Sequence, residues 1–196
     1  MKFWAMFRQS FVVLILCGIG GILAGTVLGN MTESLRDVPG LIVLIPAIIG
    51  MKGNIFTTMG SRLGSAVHMG LITPEKIFNK EMAENVKGTM ILAVLMSFIT
   101  GVFASLSSYL LSLTGVVPSP NFLAIMIISI VATFITSIVL IAFTVCIVYV
   151  AFKKGLDPDN ITGPTLATLG DFIALLGIFA ISGAAIYVLD AVGVGL

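Results

Sequence analysis

Residues 157–180 read DPDNITGPTLATLGDFIALLGIFA. Two acids and an asparagine stand at the front beside a Gly-Pro pair, and an apolar run follows with one acid inside it, Asp171. From about Ile161 to Leu189 the run is long enough to cross ~30 Å of hydrocarbon at about 1.5 Å per residue. A carboxylate in the middle of such a span costs about 2.5–3.5 kcal/mol on insertion scales, so Asp171 needs a reason to be there.

Four more segments have the same length and character: Phe11 to Gly29, Leu41 to Ile72, Thr89 to Thr114 and Asn121 to Phe152. Of the 196 residues, 58% are hydrophobic and 10% charged, against about 25% charged in soluble domains. Mean hydropathy is +1.17. The runs are continuous rather than alternating, and glycines are frequent, as in helices packed closely in lipid. The fold expected is an all-α integral membrane domain of five transmembrane helices, filling residues 1–196 as one unit. The basic start and apolar run of residues 1–25 resemble a signal peptide. The run goes on to Val27, however, and is read as a retained first helix.

Lysine and arginine set the orientation. Lys2, Arg8, Lys76, Lys80, Lys87, Lys153 and Lys154 fall on one side, and Arg36 alone on the other. This predicts a cytoplasmic N-terminus and an external C-terminus in a multi-pass protein of the plasma membrane. The net charge of +1 supplies no field for nucleic acid. There is no phosphate-binding loop, no dinucleotide fingerprint and no His/Cys metal cluster. Cys17 and Cys146 sit in apolar runs as small packing residues.

The second segment reads LIVLIPAIIGMKGNIFTTMGSRLGSAVHMGLI, with Pro46, Gly50 and Gly53 inside eight residues. Such residues predict an interrupted helix, which at membrane depth is tolerated against packed protein or a water-filled cavity. Lys52, Asn54, Thr57, Thr58, Ser61 and Arg62 make the segment too polar to face lipid on every side. Lys52 and Arg62 are expected to reach for headgroups or to pair with an acid. The one histidine, His68, is expected to be exposed or hydrogen-bonded near the cytoplasmic end. Residues 73–88, with Glu75, Glu81 and Glu84, read as a solvated surface helix, and as a candidate sensor of a divalent cation in second place.

In the fifth segment Asn160 or Thr162 can cap the helix and Pro164 suits its first turn. Asp171 then lies about 15 Å deep, with Ala167 and Thr168 on its face. It is the only acid deep in any span; the others sit in connections or near span ends. One carboxylate makes a thin site for a divalent ion, and two facing each other across a dimer axis make a better one. The oxygens of Asp, Asn and Thr, without thiolate or imidazole, disfavour zinc, copper and iron. They suit a largely hydrated Mg²⁺, and a single buried Asp also suits Na⁺ or H⁺. A lone deep aspartate cannot run an intramembrane aspartyl protease, which needs two carboxylates, so no enzyme is expected.

The segments P46AIIGMKGN54 with Ser61-Arg62 following, and LDPDNITGP164 with TLATLGD171 following, resemble the MgtE and solute carrier family 41 magnesium transporters. The solute carrier family 41 branch is the nearer of the two. The resemblance covers nearly the whole chain. It implies a homodimer in the lipid bilayer, with an ion pathway between subunits lined by the second and fifth helices. It places the central Mg²⁺-binding aspartate on Asp171, a backbone carbonyl ligand on Ala167, the motif asparagine on Asn54 and the acid of the cytoplasmic entrance on Asp157. The cytoplasmic CBS and amino-terminal sensor domains of bacterial MgtE proteins have no counterpart in these residues, so gating through them is not expected. Lys52 stands where the bacterial motif has a glycine.

The function expected is Mg²⁺ transport. Asp171 holds the ion, Asn54 and Thr168 orient its waters, and Asp157 and Asp159 gather cations at the cytoplasmic mouth. Na⁺-coupled Mg²⁺ exchange is the alternative, and a non-transporting membrane scaffold the second one.

Overall fold

The computed structural model describes residues 3–73, 76–115, 117–154 and 158–191, with backbone alone at residues 5, 6, 9, 158, 159, 160 and 190. Asp157 therefore lies outside the described residues, as does the side chain of Asp159. Six helices follow one another: α1 (Phe3–Gly29), α2 (Thr32–Asp37), α3 (Leu41–His68), α4 (Lys80–Ser112), α5 (Phe122–Lys153) and α6 (Pro158–Ala191). All but α2 are long and apolar enough to cross a membrane. The five-span reading is thus met, with α2 as a short extra helix between the first two spans.

Three expectations about helix limits change. The second span is not interrupted: α3 is helical throughout, with Pro46 inside it. Proline removes only its own N–H from the ladder, and Gly50 and Gly53 keep helical geometry. Residues 80–88 are no separate surface helix but the first turns of α4. Asn79 caps that helix, its side-chain oxygen accepting from the Met82 N–H at 2.9 Å. The fifth span, Ile161–Leu189, is as expected, but its helix starts earlier, at Pro158, whose fixed φ suits a first helical position. Thr162 is therefore inside α6, buried and without a hydrogen-bond partner, and is not its cap.

Small residues decide how the helices approach. The buried face of α4 carries Thr89, Ala93, Ser97, Gly101 and Ser105, four residues apart. This is the small-xxx-small pattern of membrane helix packing. A Cβ on Gly101 would stand 2.9 Å from Met126 Sδ and 3.2 Å from Ser129 Cβ of α5. Ser129 Oγ donates to Ser97 O at 2.7 Å across the same seam. Gly60 of α3 meets Thr162 and Leu166 of α6, and Gly177 of α6 meets Thr136 and Ala132 of α5. At the turn into α3, Gly40 has φ +93°, with Ser108 and Ile125 against it; a side chain there would be both strained and blocked.

Helix α6 packs against α1, α3 and α5, while α4 covers α3 and α5 from the other side. On the outside of α6, a Cβ on Gly20 of α1 would collide with the Thr168 methyl group. Cys17 Sγ donates to Pro164 O at 3.3 Å. Near the start of α1, Phe3, Trp4, Phe7 and Phe11 form a ladder of ring contacts 5.6–6.2 Å apart. Of these rings Trp4 is the amphipathic one, the type that sits well at a membrane–water boundary.

The apolar core comes in two pieces. One joins Leu41–Ile48 of α3 to Ala124–Ala132 of α5 and Ala174–Leu189 of α6. The other joins Ile55–Val67 of α3 to Leu140–Val148 of α5. The residues between the two clusters are polar: Lys52 on α3, and Thr133, Thr136 and Ser137 on α5, all buried. A polar layer thus crosses the middle of the bundle.

Candidate ion site

The contact of Gly60 with Thr162 and Leu166 sets the register of the antiparallel pair α3–α6. Seven residues back along α3 is Gly53, and seven on from Pro164, between the two contacts, is Asp171. Both lie about 10 Å from the contact at 1.5 Å per residue, so Gly53–Asn54 and Asp171 share one depth. Asp171 is the fourteenth residue of the 34-residue α6, well inside the span.

Asp171 is half-buried, and among the described residues its carboxylate has no hydrogen bond and no ion pair. No cluster of three or more His, Cys, Asp or Glu side chains exists among them. Among the described residues the one ion pair is the exposed Lys80–Glu84 contact at 3.8 Å, near the start of α4.

Helix α3 has two unlike sides. Ile48, Lys52, Phe56, Met59 and Leu63 are buried against the bundle. Gly50, Asn54, Thr58, Ser61, Arg62 and Ser65 are exposed, three or four residues apart, and form one stripe. Two hydroxyls of this stretch bond back to its own helix: Thr57 Oγ1 donates to Gly53 O and Thr58 Oγ1 to Asn54 O, each at 2.7 Å. Where the stripe nears the start of α6, Thr57, Thr58, Ser61, Thr162 and Gly163 line an open cleft of about 400 Å³.

Thr168 is turned toward α1. Its hydroxyl donates to Pro164 O at 3.1 Å and its methyl packs on Gly20, so it has lone pairs left to offer and no hydrogen. Ala167 stands one turn before Asp171 and is half-buried. Among the described residues Arg62 reaches no acid; it is exposed, as is His68 at the end of α3.

Lys52 departs from its expected role. It does not reach for headgroups, it pairs with no acid among the described residues, and it is 0% exposed. Its Nζ donates to Thr133 O at 3.2 Å, to Ser137 Oγ at 3.4 Å and to Thr136 Oγ1, and lies 5.8 Å from the centre of the Phe56 ring. Lys52 and Asn54 are about 160° apart around a helix of 3.6 residues per turn. The ammonium therefore points into the bundle, away from the exposed stripe. The three α5 oxygens that hold it were missed in the sequence, although Ser129, Thr133, Thr136, Ser137 and Thr144 recur at helical spacing in a span of otherwise apolar residues.

A model of the MgtE divalent cation transporter family matches residues 45–181, which include both motifs from Pro46 to Asp171. The chain belongs to this family. Solute carrier family 41 member 3 of Rattus norvegicus is 32% identical over 174 residues, covering 85% of this chain and 36% of the relative. Solute carrier family 41 member 2 of Homo sapiens is 29% identical over 178 residues, covering 87% and 30%. The magnesium transporter MgtE of Bacillus subtilis is 27% identical over 181 residues, covering 92% and 37%. The chain spans about a third of the length of these curated relatives. No solved structure matches it. The chain is thus a multi-pass membrane member of a family of transporters rather than of enzymes.

Proposed function

We propose that this domain carries Mg²⁺ across the membrane as a homodimer, along a pathway between the subunits lined by α3 and α6. The observation that carries this reading is the Asp171 carboxylate, unpartnered among the described residues and level with Asn54 on the exposed polar stripe of α3. A stripe of Asn, Thr, Ser and Arg facing acyl chains is costly, and a second copy of the same stripe relieves that cost while leaving water between the two. Two Asp171 side chains related by a two-fold axis then offer one ion two negative charges. Mg²⁺ gives up its waters reluctantly and is held by one or two carboxylates, which suits a site with so few protein oxygens. Asn54 orients the ion's waters, and the Ala167 carbonyl and the Thr168 oxygen serve as further acceptors. Asp157 and Asp159, next to Lys153 and Lys154 on the side read as cytoplasmic, gather cations at the mouth.

The test is Mg²⁺ flux into proteoliposomes, wild type against Asp171→Asn, with and without a Na⁺ gradient. Loss of flux in a variant that still elutes as a dimer is the expected result. Equal flux in the two proteins would place the pathway elsewhere. A wild-type flux that vanishes without Na⁺ would replace this reading by exchange.

A further inference from the structure

Lys52 is a basic side chain buried in the membrane-spanning core with no acid beside it among the described residues. Burying an ammonium is expensive unless its donors are met. Here they are met in full: an ammonium has three donors, and three oxygens receive them, Thr133 O, Thr136 Oγ1 and Ser137 Oγ. The Phe56 ring adds its face at 5.8 Å.

The character of those oxygens is informative. Thr136 Oγ1 gives its own hydrogen to Ala132 O one turn back, so toward Lys52 it can only accept. Thr133 O is a carbonyl and accepts by nature. A fourth oxygen on the same turns, Thr133 Oγ1, is buried and has no partner. The site is therefore a set of three accepting oxygens, one carbonyl and two hydroxyls, between two apolar clusters. Hard neutral oxygens of this kind, with no carboxylate among them, suit a monovalent cation, as the carbonyl rings of cation filters do. A divalent ion would lack counter-charge there.

We infer that the α5 oxygens of Thr133, Thr136 and Ser137 form a monovalent-cation site that the chain fills permanently with its own Lys52 ammonium. The tethered charge fastens α3 to α5 at the depth of Asp171 and cannot be exchanged with either side. Without the side chain, the same oxygens take a free monovalent cation from solution.

Purified wild type, Lys52→Ala and Lys52→Met are melted in detergent in choline chloride, NaCl and ethylammonium chloride. Choline is too large for the site. Wild type melts at the same temperature in all three. Lys52→Ala melts lower in choline and recovers by about 5–10 °C in saturating Na⁺ or ethylammonium, as binding to the folded state alone requires. Lys52→Met, which keeps the apolar stem and blocks the space, stays low in every salt. The idea fails if Lys52→Met in choline matches wild type, because the oxygens then need no cation. It fails equally if Lys52→Ala gains nothing from either small cation. Should Lys52→Ala not survive purification in choline, recovery of a monodisperse peak when NaCl or ethylammonium is present throughout supports the site, and aggregation in all three salts overturns it. Melting is read rather than flux, so failure here leaves the Mg²⁺ pathway untouched.

Discussion

Gly177→Ala adds one methyl group where α6 crosses α5, and its effect depends on a single neighbour. The new Cβ would collide with the Thr136 methyl group and stand 3.6 Å from Ala132 O. A threonine elsewhere would turn aside. Thr136 cannot, because its hydroxyl donates to Ala132 O and accepts from Lys52, and rotation about χ1 breaks both bonds. Overpacking of this kind costs about 1–3 kcal/mol. Replacing glycine by alanine inside a helix returns about 0.5–1 kcal/mol. The net loss is at most about 2.5 kcal/mol, or up to about 10 °C in Tm at 2–4 °C per kcal/mol for a chain of this size. Thr136→Ser removes the obstructing methyl and keeps the hydroxyl. In that background Gly177→Ala should be neutral or stabilising by about 0.5–1 kcal/mol, so the double-mutant cycle has a coupling energy of about 1–3 kcal/mol. The assay is thermal melting of the four proteins in detergent, read by size exclusion. An equal change in Tm for Gly177→Ala in both backgrounds would refute the steric account, and with it the claim that the Lys52 contact pins Thr136.

Asn79→Ala should cost about 1 kcal/mol by leaving the Met82 N–H uncapped, seen as a lower Tm with unchanged Mg²⁺ flux; a flux defect at wild-type Tm would give residue 79 a role beyond capping. Ser61→Cys, on the exposed stripe of α3, should cross-link two copies in membranes under mild oxidant, whereas a cysteine at Leu95, exposed on α4, should not; the reverse pattern would move the interface. Mg²⁺ should raise the Tm of wild type and leave that of Asp171→Asn unmoved, since a ligand stabilises only the state that binds it; an equal rise in both would detach the ion from Asp171. Wild-type Mg²⁺ flux should persist when N-methylglucamine replaces Na⁺ on both sides, and its loss would show that a free monovalent cation is part of the cycle.

The membrane fold was legible in the sequence because hydrocarbon thickness translates directly into run length, and five apolar runs need no knowledge of each other to be counted. Asp171 was legible for the same reason: a charge inside a span is anomalous wherever the neighbouring helices lie. The family motifs around Pro46–Asn54 and Leu156–Asp171 were readable as local strings. Helix continuity was not, since Pro46, Gly50 and Gly53 break an isolated helix but keep their place in one whose other side is packed on α5 and α6. Only the tertiary structure decided what Lys52 does. Its neighbours Thr133, Thr136 and Ser137 are more than 80 residues away, and hydroxyls in an apolar span look the same whether they bond to their own helix or wait for a partner. Burial, direction and partner are properties of packing. One chain's sequence sets which residues are too polar for lipid, but the assembled bundle decides that Lys52 turns inward to oxygen while Asn54, two residues on, faces out.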